Sequence, residues 1–355
     1  NTPRFDYSGG ATCPSLLLEP SRVNLIAYSE YIDQWQQVNI ATEISNTLSP
    51  DGASPMTKAI FTNQGLNSYI RQNRNMDSGS ITVSIFVKKG LIDSYASIRI
   101  EGIDNNISVW FNLDNGTIGS ETGSPTNKSI VSYGNGIYRI SATTTSTTDL
   151  SFSTKIQSAD TDGGDPTENA TQFYWGGQAE QGSYVSSYIP NHSGGTITRA
   201  QDNCSKTGIQ NLLGQTEGVI FFDGVCDNLE QDATLLCTNR QTSFAVLLTK
   251  TPNQEILGRV WNGGSVLIGF LSSALPSGRF KAALKYKSGS TALFVNGVKI
   301  GESATTFTPA ANINQLYLTS YTSPYFSYKE SVYANEALVF TTALSDSDLA
   351  TLTTI

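Results

Sequence analysis

The chain has 355 residues, a formal net charge of −8 and charged residues at only 15% of its positions. This length exceeds that of a usual single core, so we expect two domains. The low charge disfavours long charged helices, the lack of a basic block disfavours nucleic-acid binding, and no apolar run approaches the roughly 20 residues of a membrane-spanning helix.

The first predicted element, residues 1–20, has no periodic pattern before Leu16 and contains the pair Gly9-Gly10. Such a segment is either an extended arm that docks on a neighbouring molecule or a plain leading loop. The residues leave both interpretations open.

Strands follow in the first half of the chain. Apolar and polar residues alternate over 81–87, which predicts a half-buried strand. The same alternation recurs at 97–100, 107–111 and 137–141. Turn clusters separate these runs, at 76–79, 113–116 and 133–136. Asn-Gly and Asp-Gly sequences suit turn positions with positive φ. Strands at this spacing are typical of an antiparallel sandwich.

The second half repeats this pattern with different residues. Strand candidates lie at 218–223, 243–248 and 265–270, and the pair Asn296-Gly297 between two alternating runs predicts a hairpin over 291–300. Residues 344–352 predict a short helix, with Ser345 as its N-cap and acidic residues in its first turn.

Together these elements predict an all-β protein of two tandem antiparallel β-sandwich (jelly-roll) domains, with an extended N-terminal arm and a short C-terminal helix. Pro190 and the pair Gly194-Gly195 mark the join between the domains. The predicted boundaries are 1–20 for the arm, 21–193 for the first sandwich, 194–215 for a linker and 216–355 for the second sandwich.

The first half resembles a domain common in phage and prophage tail or virion proteins. The strings that carry the resemblance, in order, are 3–7, 17–25, 28–30 with Trp35, 86–90, 133–139, 174–180, 187–190 and 198–200. The resemblance implies a jelly roll like those of carbohydrate-binding modules. The family often has Ala where Gly177 stands, which we interpret as a harmless packing variation.

The second half resembles the concanavalin A-like or laminin-G-like sandwich. The resemblance rests on the hairpin at 293–297 and on the string 337–346. Residues that contact sugars vary among such proteins, so none can be transferred to this chain by motif.

Catalysis on such a fold has requirements that this sequence does not meet. A glycosidase needs two positioned carboxylates, and the Glu-x-Asp-x-x-Glu string of concanavalin-like glucanases is missing, since Glu101 and Asp104 have the wrong spacing. His192, the single histidine, lies beside the predicted join, which disfavours hydrolysis by a Ser-His-Asp triad. We therefore predict no catalytic residues.

Sugar binding requires aromatic faces for stacking and amides for hydroxyl groups. Aromatic residues are dense around Pro324, which gives a first candidate site. In a second candidate site, an aromatic residue stands next to an amide in a predicted turn. The candidate carbohydrate-binding residues are Tyr321, Tyr325, Phe326, Tyr328, Trp261 and Asn262. The alternative interpretation is that half of these rings face the core. The remaining tryptophans, Trp35, Trp110 and Trp175, are assigned to the core.

Three carboxylates, Asp160, Asp162 and Asp165, lie in a glycine-bearing segment of the kind that hard cations favour. They predict either a structural calcium site or a solvated turn, because the full calcium-loop pattern is missing. The four cysteines lack the spacing of a zinc site. We interpret them as free buried thiols, with a Cys226–Cys237 bridge as the alternative.

The leading functional hypothesis is a non-catalytic bacteriophage tail or fibre protein that binds bacterial surface polysaccharide. One alternative is a structural decoration or fibre-assembly protein without glycan binding, and another is a glycan-degrading enzyme, which the missing carboxylate pair disfavours. The resemblance also implies other virion proteins as partners, a homotrimer and a location in the virion. No nucleic-acid partner and no membrane insertion are expected.

Overall fold

The computed structural model describes residues 3–6, 13–63, 67–148, 150–226, 232–239, 244–319 and 331–355. The fold class predicted from the sequence is confirmed, because the strands form antiparallel sheets and the described residues contain one short α-helix. This helix is too short to cross a bilayer, and no other helix in the described ranges could do so. The chain divides into two compact units, Arg22–Arg199 and the combination of Asn1–Ser21 with Ala200–Ile355.

We call Arg22–Arg199 the inserted unit and the other the split unit, because both ends of the chain build the latter. Sixteen strands precede residue 200: β1 (Arg4–Asp6), β2 (Ser15–Leu18), β3 (Arg22–Asn24), β4 (Gln36–Val38), β5 (Ile40–Leu48), β6 (Pro55–Phe61), β7 (Tyr69–Met76), β8 (Gly79–Lys89), β9 (Tyr95–Glu101), β10 (Ile107–Asn112), β11 (Thr117–Thr122), β12 (Asn127–Ser132), β13 (Ile137–Ser146), β14 (Leu150–Ala159), β15 (Thr171–Gln181) and β16 (Ile197–Arg199).

The elements after residue 200 belong to the split unit, as do β1 and β2. They are β17 (Cys204–Thr207), β18 (Glu217–Val225), β19 (Ala233–Thr238), β20 (Phe244–Lys250), β21 (Ile256–Asn262), β22 (Ser265–Leu271), β23 (Arg279–Lys287), β24 (Thr291–Val295), β25 (Val298–Ser303), β26 (Gln315–Leu318), β27 (Val332–Phe340) and the helix α1 (Asp346–Thr353).

The N-terminal arm is part of the split unit's own sheet. Strand β1 pairs with β2, and β2 pairs with β27 in a sheet of order β1-β2-β27-β18-β23-β24-β25. The Arg4 guanidinium forms ion pairs with Glu19 and Asp202, which joins the start of the arm to the segment that follows the inserted unit. The arm therefore fills an edge of this sheet within the same chain.

The predicted linker 194–215 contains regular structure. Its strand β16 pairs with β3 and closes the inserted unit, whereas β17 pairs with β26 in the split unit. The units divide at residues 21/22 and 199/200. Local Pro and Gly signals do not encode this division, because it depends on pairing between strands far apart in sequence.

The inserted unit is a sandwich of two six-stranded sheets, β11-β10-β9-β14-β7-β4 and β12-β13-β8-β15-β6-β5. Its core contains residues such as Ile85, Ile98 and Phe152. The prediction of a half-buried strand at 81–87 was wrong, since Thr82 and Ser84 are also buried. Their hydroxyl groups are satisfied locally: Thr82 donates to a backbone carbonyl, and Ser84 accepts from a guanidinium.

The split unit contains the seven-stranded sheet and a second sheet of order β17-β26-β19-β20-β21-β22. The predicted hairpin is confirmed, since Val295 pairs with Val298 across a turn in which Asn296 and Gly297 have φ of 49° and 81°. Two positive φ values define a type I′ turn. The predicted cap is also confirmed, because the Asp348 amide donates to Ser345 Oγ at 3.2 Å.

The four cysteines all lie in the described ranges and form no disulfide with one another, so the alternative Cys226–Cys237 bridge was wrong. Two of them, Cys226 and Cys237, are buried, whereas Cys13 is exposed. Burial raises the pKa of the Cys237 thiol to about 12. This thiol is therefore protonated at neutral pH and acts as a small apolar group.

Candidate functional site

Most of the predicted aromatic sugar site lies outside the described residues. This applies to Tyr321, Tyr325, Phe326 and Tyr328, which remain predictions. The other two candidates end strand β21, and there the amide of Asn262 donates to the Thr308 carbonyl at 3.0 Å and accepts from the Ala310 amide at 2.8 Å. Both ends of this side chain therefore hold a neighbouring loop. Trp261 is half-buried, and its indole Nε1 has no hydrogen-bond partner in the described part of the chain.

The three aspartates of the predicted calcium site do not converge on a common point. Asp162 accepts from the Ser120 amide at 2.6 Å, and Asp160 accepts from the Thr161 amide at 2.7 Å. Nowhere in the described ranges do three or more His, Cys, Asp or Glu side chains form a group that could hold a metal ion. The residues therefore do not fit the calcium site, and Asp160 and Asp162 stabilise loop backbone instead.

A cleft lies at the edge of the inserted unit, where the outermost strand of one sheet ends. Strand β4 pairs with residues 69–71 of β7 only, so the rest of β7 has no strand on that side. The segment that precedes β4 forms the opposite wall. The resulting cleft has a volume of about 320 Å³ and is lined by Ala27, Tyr28, Gln34, Trp35, Gln36, residues 71–74 and Gly194. We call it the edge cleft.

Tyr28 projects an aromatic ring at this cleft from an unusual backbone conformation. Its φ is 49°, in the left-handed region that side chains other than Asn and Asp rarely adopt. The Tyr28 amide donates to the Ser193 carbonyl at 2.9 Å, and its carbonyl accepts from Trp35 Nε1 at 3.1 Å. Such conformations persist where surrounding contacts fix them, and they cluster at ligand sites. Tyr28 as a whole is 38% exposed.

Two guanidinium groups lie in the edge cleft, and neutral amides hold both of them. Arg71 Nε donates to Gln36 Oε1 at 2.7 Å. Arg74 donates to the Gln72 amide oxygen, and Gln72 in turn donates to the Ala27 carbonyl at 2.7 Å. Amides orient these arginines without neutralising their charge.

Neither arginine forms an ion pair in the described part of the chain, whereas other cations on the same sheet do. Arg99 and Lys155 lie opposite each other on β9 and β14, and both contact Glu101, at 3.1 Å and 2.5 Å. Arg71 lies opposite Lys155 on the next strand. The two cations at the centre of this sheet therefore share one carboxylate, whereas the arginines of the edge cleft have none among the described residues.

Sequence reasoning missed Tyr28, Arg71 and Arg74 as site residues. In an ideal strand, positions 71 and 74 face opposite sides of the sheet, so their spacing did not indicate a shared site. They line one cleft because β4 ends early and leaves this part of β7 at the sheet edge. The positive φ of Tyr28 has no signal in the sequence.

The tryptophans assigned to the core are buried, with exposures of 4% for Trp35, 6% for Trp110 and 3% for Trp175. The interpretation of Gly177 as a harmless variant was wrong. A Cβ built there would lie 2.4 Å from the Trp35 ring. Gly177 therefore makes room for the ring that forms one wall of the edge cleft.

Comparison with known proteins finds no matching family model and no matching curated protein. Among solved structures, the chain is similar to the Ruminococcus gnavus IT-sialidase CBM40, with 17% identity and a TM-score of 0.35 over 39% of this chain and 84% of that one. The same module bound to α2,3 sialyllactose gives 15% identity and a TM-score of 0.36 over 44% and 97%.

A SAP-like pentraxin from Limulus polyphemus is also similar, with 8% identity and a TM-score of 0.32 over 39% of this chain and 70% of that one. At these identities and TM-scores the similarities assign neither a ligand nor an activity to this chain.

Proposed function

We propose that the chain is a non-catalytic protein that binds carbohydrate in the edge cleft of the inserted unit. The observation that carries the proposal is the presence of an exposed tyrosine ring, side-chain amides and guanidinium groups in one concavity of about 320 Å³. Ligand pockets typically measure roughly 300–1,000 Å³, so this one suits one or two sugar rings.

Each group has a defined task in this proposal. The apolar face of a pyranose stacks on the Tyr28 ring, because aromatic rings attract C–H surfaces. Gln34 and Asn73 are exposed on the cleft walls and can exchange hydrogen bonds with hydroxyl groups. Two hydrogen bonds fix the backbone of Tyr28 before the ligand arrives, which reduces the entropy lost on binding.

In this proposal the protein is a bacteriophage tail or fibre component, and its ligand is a bacterial surface polysaccharide. The support is the ordered series of sequence strings from residue 3 to residue 200. The same resemblance favours a homotrimer associated with other virion proteins. Light scattering on the purified chain tests the oligomeric state: a trimeric mass supports the proposal, and a monomeric mass argues against a fibre of this kind.

A glycan array tests the binding function. We expect the wild-type chain to bind a defined set of glycans, and Tyr28→Asn to bind them about tenfold more weakly or worse, since tenfold corresponds to about 1.4 kcal/mol of lost stacking. Asparagine tolerates the left-handed backbone at this position, so the fold is retained.

The matched control is Tyr133→Asn, which removes another exposed tyrosine of the same unit that does not line the cleft. It should bind like the wild type. If the wild-type chain binds none of the host polysaccharides, a purely structural virion role is favoured. Equal binding by both variants would place the site elsewhere.

A further inference from the structure

Among the described residues, the edge cleft lacks a carboxylate of the kind that contacts the cations at the centre of the same sheet. Arg99 and Lys155 share Glu101, whereas Arg71 and Arg74 have no carboxylate partner among the described residues. Neighbouring strands lie roughly 4.7–4.9 Å apart, so Arg71 lies one strand beyond two cations that share a carboxylate. The two arginines of the cleft therefore lack, among the described residues, the carboxylate contact that the adjacent cations have.

The donors of both guanidinium groups are only partly used. An arginine offers five N–H donors in a planar fork. For Arg71, the hydrogen bond of Nε to Gln36 leaves both terminal nitrogens without a bond to described residues. For Arg74, the terminal nitrogens donate to the Asn73 carbonyl at 3.2 Å and to the Gln72 amide oxygen, and the buried Nε has no hydrogen-bond partner among the described residues.

Burial without an anion is unfavourable for a charged group. It lowers the pKa of the Arg74 guanidinium below its ordinary value, and no carboxylate raises it again. Arg71 in turn lies over the Tyr69 ring, with its central carbon 5.8 Å from the ring centroid. The ring and the Gln36 amide orient this guanidinium, and Arg71 lines the cleft.

We propose that the edge cleft selects sugars that carry a carboxylate, which Arg71 and Arg74 bind while Tyr28 stacks on the sugar ring. The inference rests on the proposed function and narrows it to acidic glycans. A planar carboxylate matches the arginine fork through two parallel hydrogen bonds. The chain as a whole carries a net charge of −8, so attraction for acidic glycans has to come from this local pair and not from the overall field.

Calorimetric titration of the full chain tests the charge requirement with matched ligand pairs. Galacturonate oligomers are compared with their methyl esters, and sialyllactose with lactose, so that each pair differs mainly by the acidic group. We expect at least one acidic ligand to bind tenfold or more tightly than its neutral partner. The ligand pair that shows this preference identifies the acidic sugar as a uronic acid or a nonulosonic acid.

Variants then locate the effect. Arg71→Gln and Arg74→Gln should each reduce the preference for the acidic ligand by about tenfold, since each removes one charge-assisted contact. The control Lys206→Gln removes the same charge from an exposed position in the split unit and should change nothing. Thermal unfolding of each variant identifies any loss of binding that follows from misfolding.

The outcomes separate this inference from the proposed function. Equal binding of acidic and neutral partners by a chain that does bind glycans overturns the carboxylate requirement and leaves carbohydrate binding intact. Binding of dextran sulfate as tight as that of the carboxylated ligands also overturns it, because the cleft would then recognise charge alone. Failure of every glycan to bind overturns both.

Discussion

At the scale of single residues, the edge cleft depends on how the Tyr28 ring is supported. The left-handed backbone at this tyrosine costs roughly 1–2 kcal/mol, which contacts with Ser193 and Trp35 offset. Gly194 lies next to the ring: a Cβ built there would be 3.1 Å from the Tyr28 hydroxyl oxygen. The glycine therefore leaves the space that the ring occupies.

This contact predicts the effect of adding one methyl group. Gly194→Ala should displace the Tyr28 ring by a few tenths of an ångström and weaken glycan binding several-fold, as measured by titration calorimetry. Gly195→Ala is the matched control, because a Cβ there meets no atom within 4 Å. The control should bind normally and gain about 0.4–1 kcal/mol of stability from the reduced entropy of its unfolded chain. Identical glycan affinity in the two variants would contradict a role for the ring position.

At the scale of elements, strand β15 contains an irregularity that supports the Trp35 wall of the cleft. Its register with β8 shifts between Trp175 and Gln178, and Gly176 has a φ of 63°. The next residue, Gly177, faces the Trp35 ring. Two consecutive glycines thus allow the strand to bulge and Trp35 to pack against it.

We expect Gly177→Ala to destabilise the inserted unit by about 1–3 kcal/mol, the usual effect of overpacking a core. It should also weaken glycan binding, because Trp35 both lines the cleft and donates to the Tyr28 carbonyl. Chemical denaturation measures the first effect and calorimetry the second. A variant with unchanged unfolding free energy would show that the Trp35 ring moves aside at little energetic expense.

Elements with strong local signals were predictable from the sequence. The Asn296-Gly297 turn and the Ser345 cap each depend on residues adjacent in the chain. The edge cleft was not predictable, because it depends on where β4 ends and on a tyrosine conformation fixed by residues 7 and 165 positions away. The burial of Ser84 could not be predicted either, because a polar residue that alternates with apolar neighbours usually lies on the exposed face of a strand.

At the scale of the whole molecule, the chain builds one unit from both of its ends and places the other between them. Local patterns cannot reveal this order, because the pairing of β2 with β27 joins residues more than three hundred positions apart. The ion pairs of Arg4 with Glu19 and Asp202 reinforce the same connection. Each sheet lies within one unit, so the two units should unfold in separate transitions.

Deleting residues 1–18 tests this architecture. The deletion removes β1 and β2, leaves β27 at the edge of the sheet and removes the ion pair of Arg4 with Glu19. The split unit should therefore unfold at a lower temperature and aggregate more readily. The inserted unit should unfold as before, since its sheets contain none of these residues. Differential scanning calorimetry separates the two transitions. Equal destabilisation of both would contradict their independence.

The most direct test of the central claim is an NMR titration of the isotope-labelled chain with the oligosaccharide that a glycan array identifies. Carbohydrate binding in the edge cleft predicts amide shift changes concentrated at Tyr28, Arg71, Asn73, Arg74 and Gly194. Shift changes confined to the split unit, for example around Trp261, would contradict the assignment of the site.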